Sequence, residues 1–191
     1  LGCVSCPGRD AIVYTIVTSS SAKRGYMGHQ TIVVDRKDAN MAQYTREQLI
    51  RISTLSNDII MATLLIDATD YVGLLREFHN ATKYIDEAKR EYPQNVLIQN
   101  IAAGVDASIQ DIQGYTPTQR RTAENTYRAR INESVSLLDT DTEAYEFKAA
   151  LLALAKKVAE AAGHGVFGSG QKVSQDEGEF LEALKRKLGV A

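Results

Sequence analysis

Residues 140–163 read TDTEAYEFKAALLALAKKVAEAAG, and their pattern decides the fold class. Ala144, Phe147, Leu151, Leu154, Val158 and Ala161 recur at alternating spacings of three and four. That is the seam of a helix meeting its neighbours along one side. Thr140 with Glu143 makes a capping-box pair at its start, and Gly163 ends it.

Upstream, Thr116-Pro117-Thr118-Gln119 combines a cap, a proline at the first helical position and a Gln that reaches back. The helix it opens is polar, with a narrow stripe of Ala123, Tyr127, Ile131, Val135 and Leu138. It reads as an exposed helix laid against a bundle. Asn95 is expected to cap a helix carrying Leu97, Ile98, Ile101, Ala102, Val105, Ile109 and Ile112, with Gly114 as its left-handed terminator. Before it, caps within Asp67–Asp70 open a helix striped by Leu74, Leu75, Phe78, Thr82, Ile85 and Ala88, which Pro93 stops.

Nearer the N-terminus, Thr45 and Gln48 form a capping-box pattern before Leu49, Ile50 and Ile52. Ser56-Asn57-Asp58 is read as a cap or kink ahead of Ile59–Ile66, an apolar run broken by Thr63. The run is too short to cross a bilayer and reads as a helix buried on most sides. At the other end, Ser174 and Glu177 make a further capping box. Phe180, Leu181, Leu184 and Leu188 line the last helix, with Lys185, Arg186 and Lys187 in its final turn and Gly189 beyond. The expected architecture is an all-α bundle of about six or seven helices spanning residues 41–191 as a single domain.

Residues 1–40 differ in kind. They hold both cysteines and the β-like runs Ala11–Val17 and Thr31–Val34. Five basic and three acidic residues before Met41 leave 17 basic and 21 acidic after it, a net −4 against −2 for all 191 residues. Three readings compete for this non-helical or disordered leader: a secretory signal centred on Ala11–Thr18, a folded hairpin, or translated upstream sequence preceding a start at Met41. The last is preferred, because Arg36-Lys37-Asp38 can be encoded by AGG-AAG-GAT, a purine-rich ribosome-binding sequence at suitable spacing. Cys3 and Cys6 form a C-x-x-C followed by Pro7-Gly8, without the helix start a redox dithiol uses or the two further ligands zinc needs. They read as incidental, and the body, free of cysteine, as cytoplasmic.

Composition narrows the function classes. Hydrophobic residues at 44% and charged residues at 24% describe a soluble globular protein with no membrane span, and a formal charge of −2 carries no nucleic-acid footprint. Arg120-Arg121 and Arg128-Ala129-Arg130 are interleaved with Glu124 and Glu133, the pattern of a solvated face.

The body resembles a family of uncharacterised all-helical bacterial proteins of about 150 residues. The likeness is carried by Tyr44-Thr45-Arg46-Glu47-Gln48, Asp67-Ala68-Thr69-Asp70-Tyr71-Val72-Gly73-Leu74-Leu75-Arg76-Glu77, Phe147-Lys148, Val158-Ala159-Glu160-Ala161 and Val173-Ser174-Gln175-Asp176-Glu177. It covers residues 41–191. The terminal helix, turn and S-x-x-E helix also look loosely like the repeat of tellurite-resistance TerB-type domains, although the acidic turn common there is replaced here by Gly and His. The resemblance implies a fold and not a reaction.

The chemistry-bearing candidates are few. Gly163-His164-Gly165-Val166-Phe167-Gly168 matches G-x-G-x-x-G, but a helix precedes it where a dinucleotide site needs a strand. Gly165–Gly170 is followed by Gln171-Lys172, so the lysine is misplaced for a phosphate loop. A turn between antiparallel helices is the first reading. The alternative is a small-anion or phosphate site made from Gly163, His164, Gly165, Gly168, Gly170, Lys172 and Ser174 at the start of the last helix. Neither His79 nor His164 has Glu three residues before it, those positions being Arg76 and Ala161, so no metal site is expected. Ser169 has no base placed by spacing; Asp67, Asp70 and Glu77 cluster locally, but Asp67 and Asp70 read as caps and first-turn charges.

No catalytic residue and no cofactor is therefore assigned. The first expectation is a non-enzymatic interaction or accessory module, in a stress-related setting, that binds a protein partner or itself. The Ala-rich 149–162 helix would permit close approach in a homo-oligomer. Anion binding is the alternative, and an enzyme stands third.

Overall fold

The computed structural model describes residues 11–18, 28–35, 44–66, 71–101, 112, 114–162 and 173–190. The chain divides into two units, Leu1–Thr45 and Arg46–Ala191. In the first, β1 (Ala11–Thr18) and β2 (Gly28–Asp35) pair antiparallel, from Ala11 opposite Asp35 to Thr18 opposite Gly28. Both β-like runs of the sequence fall inside this pair, so the described part of the leader is strand. Cys3, Cys6 and residues 36–41 lie outside the described residues.

The second unit is an all-α bundle. Its described helices are α1 (Arg46–Ile66), α2 (Tyr71–Glu91), α3 (Val96–Gln99), α4 (Pro117–Val135), α5 (Thr142–Ala162) and α6 (Gln175–Leu188). α1 lies against α4 and α5, α2 lies along α5, and α6 closes on α5. The core is built from Leu55, Ile59, Ile60 and Leu64 of α1, Ile85 of α2 and Phe147, Leu151 and Leu154 of α5, all fully buried. The seam predicted on α5 is thus the centre of the bundle. Its small residues are used inside the chain: Ala150, Ala155 and Ala159 are buried there.

Local chemistry set several boundaries as read. The Thr116 side chain accepts from Gln119 N–H, and the Gln119 side chain reaches back to the Thr116 backbone, opening α4 behind Pro117. Ser174 and Glu177 do the same for α6, and Gly189 closes it in the left-handed region at φ 66°. α4 buries only Ile131, Ser134 and Val135 along its length, the exposed helix its polar sequence implies.

Four expectations need correction. Ser56-Asn57-Asp58 neither caps nor kinks: α1 runs unbroken through it. Ser53 Oγ donates to Ile50 O at 2.8 Å and Thr63 Oγ1 to Ile59 O at 2.8 Å, whereas the buried Ser56 Oγ makes no hydrogen bond. The joined helix, 21 residues with a window of mean hydropathy 1.5, is long and apolar enough to cross a membrane, and 67% of that window is buried inside the bundle. Second, α3 is a single turn. Asn95 caps it as expected, but Asn100 ends it, its Nδ2 donating to Val96 O at 2.9 Å while Ile101 N–H turns back to Ile98 O. Ile101 and Ile112 are buried; residues 102–111 lie outside the described set.

Third, α5 is capped one residue later than read. Asp141 Oδ1 accepts from Ala144 N–H at 2.7 Å, which frees the Glu143 carboxylate to accept from Val96 N–H at the start of α3. Fourth, the buried stripe of α2 runs through Leu74, Glu77, Ala81, Ile85 and Ala88. Leu74, Ile85 and Ala88 are buried as expected, whereas Leu75 is exposed, Phe78 and Thr82 are half-buried, and Glu77 and Ala81 complete the stripe.

Candidate functional site

Polar groups converge in three places. The first joins α3 to α5. Asn95, buried, accepts from Ile98 N–H through Oδ1 at 3.0 Å and donates through Nδ2 to Glu143 O at 2.9 Å and Glu146 Oε2 at 3.0 Å. With Glu143 on Val96 N–H, two segments 47 residues apart cap one another. Every polar atom named here is spent on the tie, so its role is architectural.

The second is an open groove of about 270 Å³ between α2 and α5, lined by Asn80, Lys83, Tyr84, Glu87, Lys157 and Glu160. Lys83 lies 4.0 Å from Glu87 and Lys157 lies 3.9 Å from Glu160, so the lining is charge-balanced within itself. Burial, with Glu91, Tyr92 and Glu87 adding to it, pushes the Tyr84 phenol up to about 12. Tyr84 is therefore a neutral hydroxyl at physiological pH, able to donate a hydrogen bond and unsuited to act as a base.

The third lies on α1 where α4 crosses it. Asp58 is buried at 6% exposure, with Arg130 Nη1 3.7 Å from its Oδ1. Desolvation pushes the carboxyl up to about 6, Arg130 opposing the rise. One helical stretch along the same crossing, Arg51 Nη1 donates to Glu133 Oε2 at 3.2 Å. Sequence reasoning passed over Asp58 because it took Ser56-Asn57-Asp58 for a helix boundary. The signal was there in the spacing Arg51, Leu55, Asp58, Ala62, Leu65, a three-four seam with a carboxylate inside it.

The glycine-loop residues Gly163, His164, Gly165, Gly168, Gly170 and Lys172 lie outside the described residues. Ser174 is described and is the N-cap of α6. Its N–H donates to Glu177 Oε2 at 2.8 Å and its Oγ accepts from Glu177 N–H at 3.2 Å. His79 is on the exposed side of α2, Glu77 is buried in that helix's core stripe, and Asp67 and Asp70 lie outside the described residues. Among the described residues no three His, Cys, Asp or Glu side chains come together as metal ligands. No protein-family model, no curated protein and no solved structure matches the chain.

Proposed function

We propose that the chain is a non-enzymatic helical module that acts by protein association, in an accessory role, with a second copy of itself as the partner. The observation that carries this is the start of α2. Val72 is 64% exposed and Leu75 40%, and at i,i+3 spacing they share one side of the helix. Tyr145 is the remaining large apolar side chain exposed among the described residues, and it lies on α5. The neighbouring pair of bare aliphatic side chains, Val72 and Leu75, is read as the contact surface. The polar clusters do not supply an acid, a base and a nucleophile in one place, which is what hydrolytic or transfer chemistry would require.

Light scattering over a wide concentration range tests the reading. The apparent mass of the wild-type chain is expected to rise with concentration, and a Val72→Glu/Leu75→Glu double variant to stay monomeric. A wild-type mass that stays monomeric throughout overturns it.

A further inference from the structure

The crossing of α1 and α4 is the most extensive helix contact in the bundle, yet it is made by unequal partners. α1 is the apolar core helix. α4 buries side chains only at Ile131, Ser134 and Val135, all in its last five residues. Around these, α4 also reaches its neighbours through charged side chains. Arg128 stacks over the Phe180 ring of α6 at 4.5 Å and pairs with Glu124 at 2.7 Å. Arg130 reaches Asp58, and Glu133 reaches Arg51. These last two pairs differ in setting: Arg51 and Glu133 are 58% and 65% exposed, whereas the Asp58 side chain is 9% exposed beneath an Arg130 that is 59% exposed.

We propose that α4 is a proton-tuned strap, lying tightest on α1 when Asp58 carries a proton and loosening as that carboxyl ionises. The Asp58 carboxyl is out of water on the side of α1 that Arg130 of α4 reaches. A single cation at 3.7 Å, itself facing solvent, does not replace the lost hydration. The rise of the carboxyl to about 6 has burial as its largest cause, with Arg130 pulling the other way. Arg130 of α4 is the charged group that acts on the carboxyl, while Arg51, on α1 itself, is engaged by Glu133. Among the described residues the other buried carboxylates of the bundle are Glu77 of α2 and Glu177 of α6, and neither is among the groups that shift Asp58. Lifting α4 returns Asp58 to water and bares the stripe of Leu55, Ala62 and Leu65 that shares its side of α1. The device is independent of the surface on α2.

Amide hydrogen exchange on the full chain, read by NMR and corrected for intrinsic rates, tests it. Between pH 5 and pH 8, protection over Arg128–Val135 is expected to fall about tenfold, while the central amides of α5 hold theirs. Asp58→Asn should remove the pH dependence. Arg130→Ala, at an exposed position, should enlarge it, and this variant keeps the test open if Asp58→Asn does not fold. The strap is overturned by α4 protection that is flat in pH, by α4 and α5 losing protection together, or by pH dependence that survives Asp58→Asn or shrinks in Arg130→Ala.

Discussion

Replacing Asp58 by Asn should make the protein more stable at neutral pH, against the usual direction for a buried residue with a partner. The carboxyl stands at about 6 in the fold against an ordinary 3.8, so the folded state binds its proton more tightly than the unfolded chain does. A group raised in this way contributes stability that is fully present below 3.8 and lost as pH rises through about 6. The difference corresponds to about 3 kcal/mol, which wild type lacks at pH 7.5. Asn has the same shape and cannot ionise, so it retains that contribution. The value of about 6 already contains the pull of exposed Arg130, so the expected gain stays at about 3 kcal/mol. In urea the unfolding midpoint should move up by roughly 1 M at pH 7.5, with the slope unchanged. At pH 4 the two curves should nearly coincide. A variant less stable than wild type at pH 7.5, or a gap as wide at pH 4, would refute the claim that desolvation outweighs Arg130 at this site.

Two further outcomes concern the architecture. Asn95→Ala removes the cap of α3 and both hydrogen bonds donated to α5, and should lower stability by about 2–4 kcal/mol in the same denaturation assay. A loss under about 1 kcal/mol would mean the tie contributes little. Gly189→Ala places a side chain where nothing lies within 4 Å, so its effect is that of the left-handed backbone alone. A drop of about 1 kcal/mol, seen as a lower melting temperature, is expected, and an unchanged melt would show that the C-terminal turn adjusts freely.

The features legible in the sequence are those whose partners lie within one helical turn. Thr116 with Gln119 and Ser174 with Glu177 each close a ring over three residues. Where a distant neighbour does compete, the local reading shifts. Glu143 looks like half of a capping box with Thr140, but Val96 N–H, 47 residues away, takes its carboxylate, and Asp141 caps α5 instead. Leu75 and Phe78 look like core positions beside Leu74, yet Leu75 is exposed, Phe78 is half-buried and Glu77 is buried instead. Positions 74, 75, 77 and 78 spread across one broad side of the helix, so periodicity places the stripe and leaves its edges to the neighbour that packs on it.

By itself, then, the sequence determined that the body is helical, where α4 and α6 begin, where α6 ends, and that α5 carries the central seam. Those outcomes follow from periodicity, capping chemistry and a glycine free to take a positive φ. Only the tertiary structure decided that α1 is continuous through Ser56-Asn57-Asp58, that Asp58 sits under α4, and that Val72 and Leu75 remain bare. The physical reason is shared by all three. Burial is a property of what lies on the other side of a surface, and a residue's own segment does not encode its neighbour.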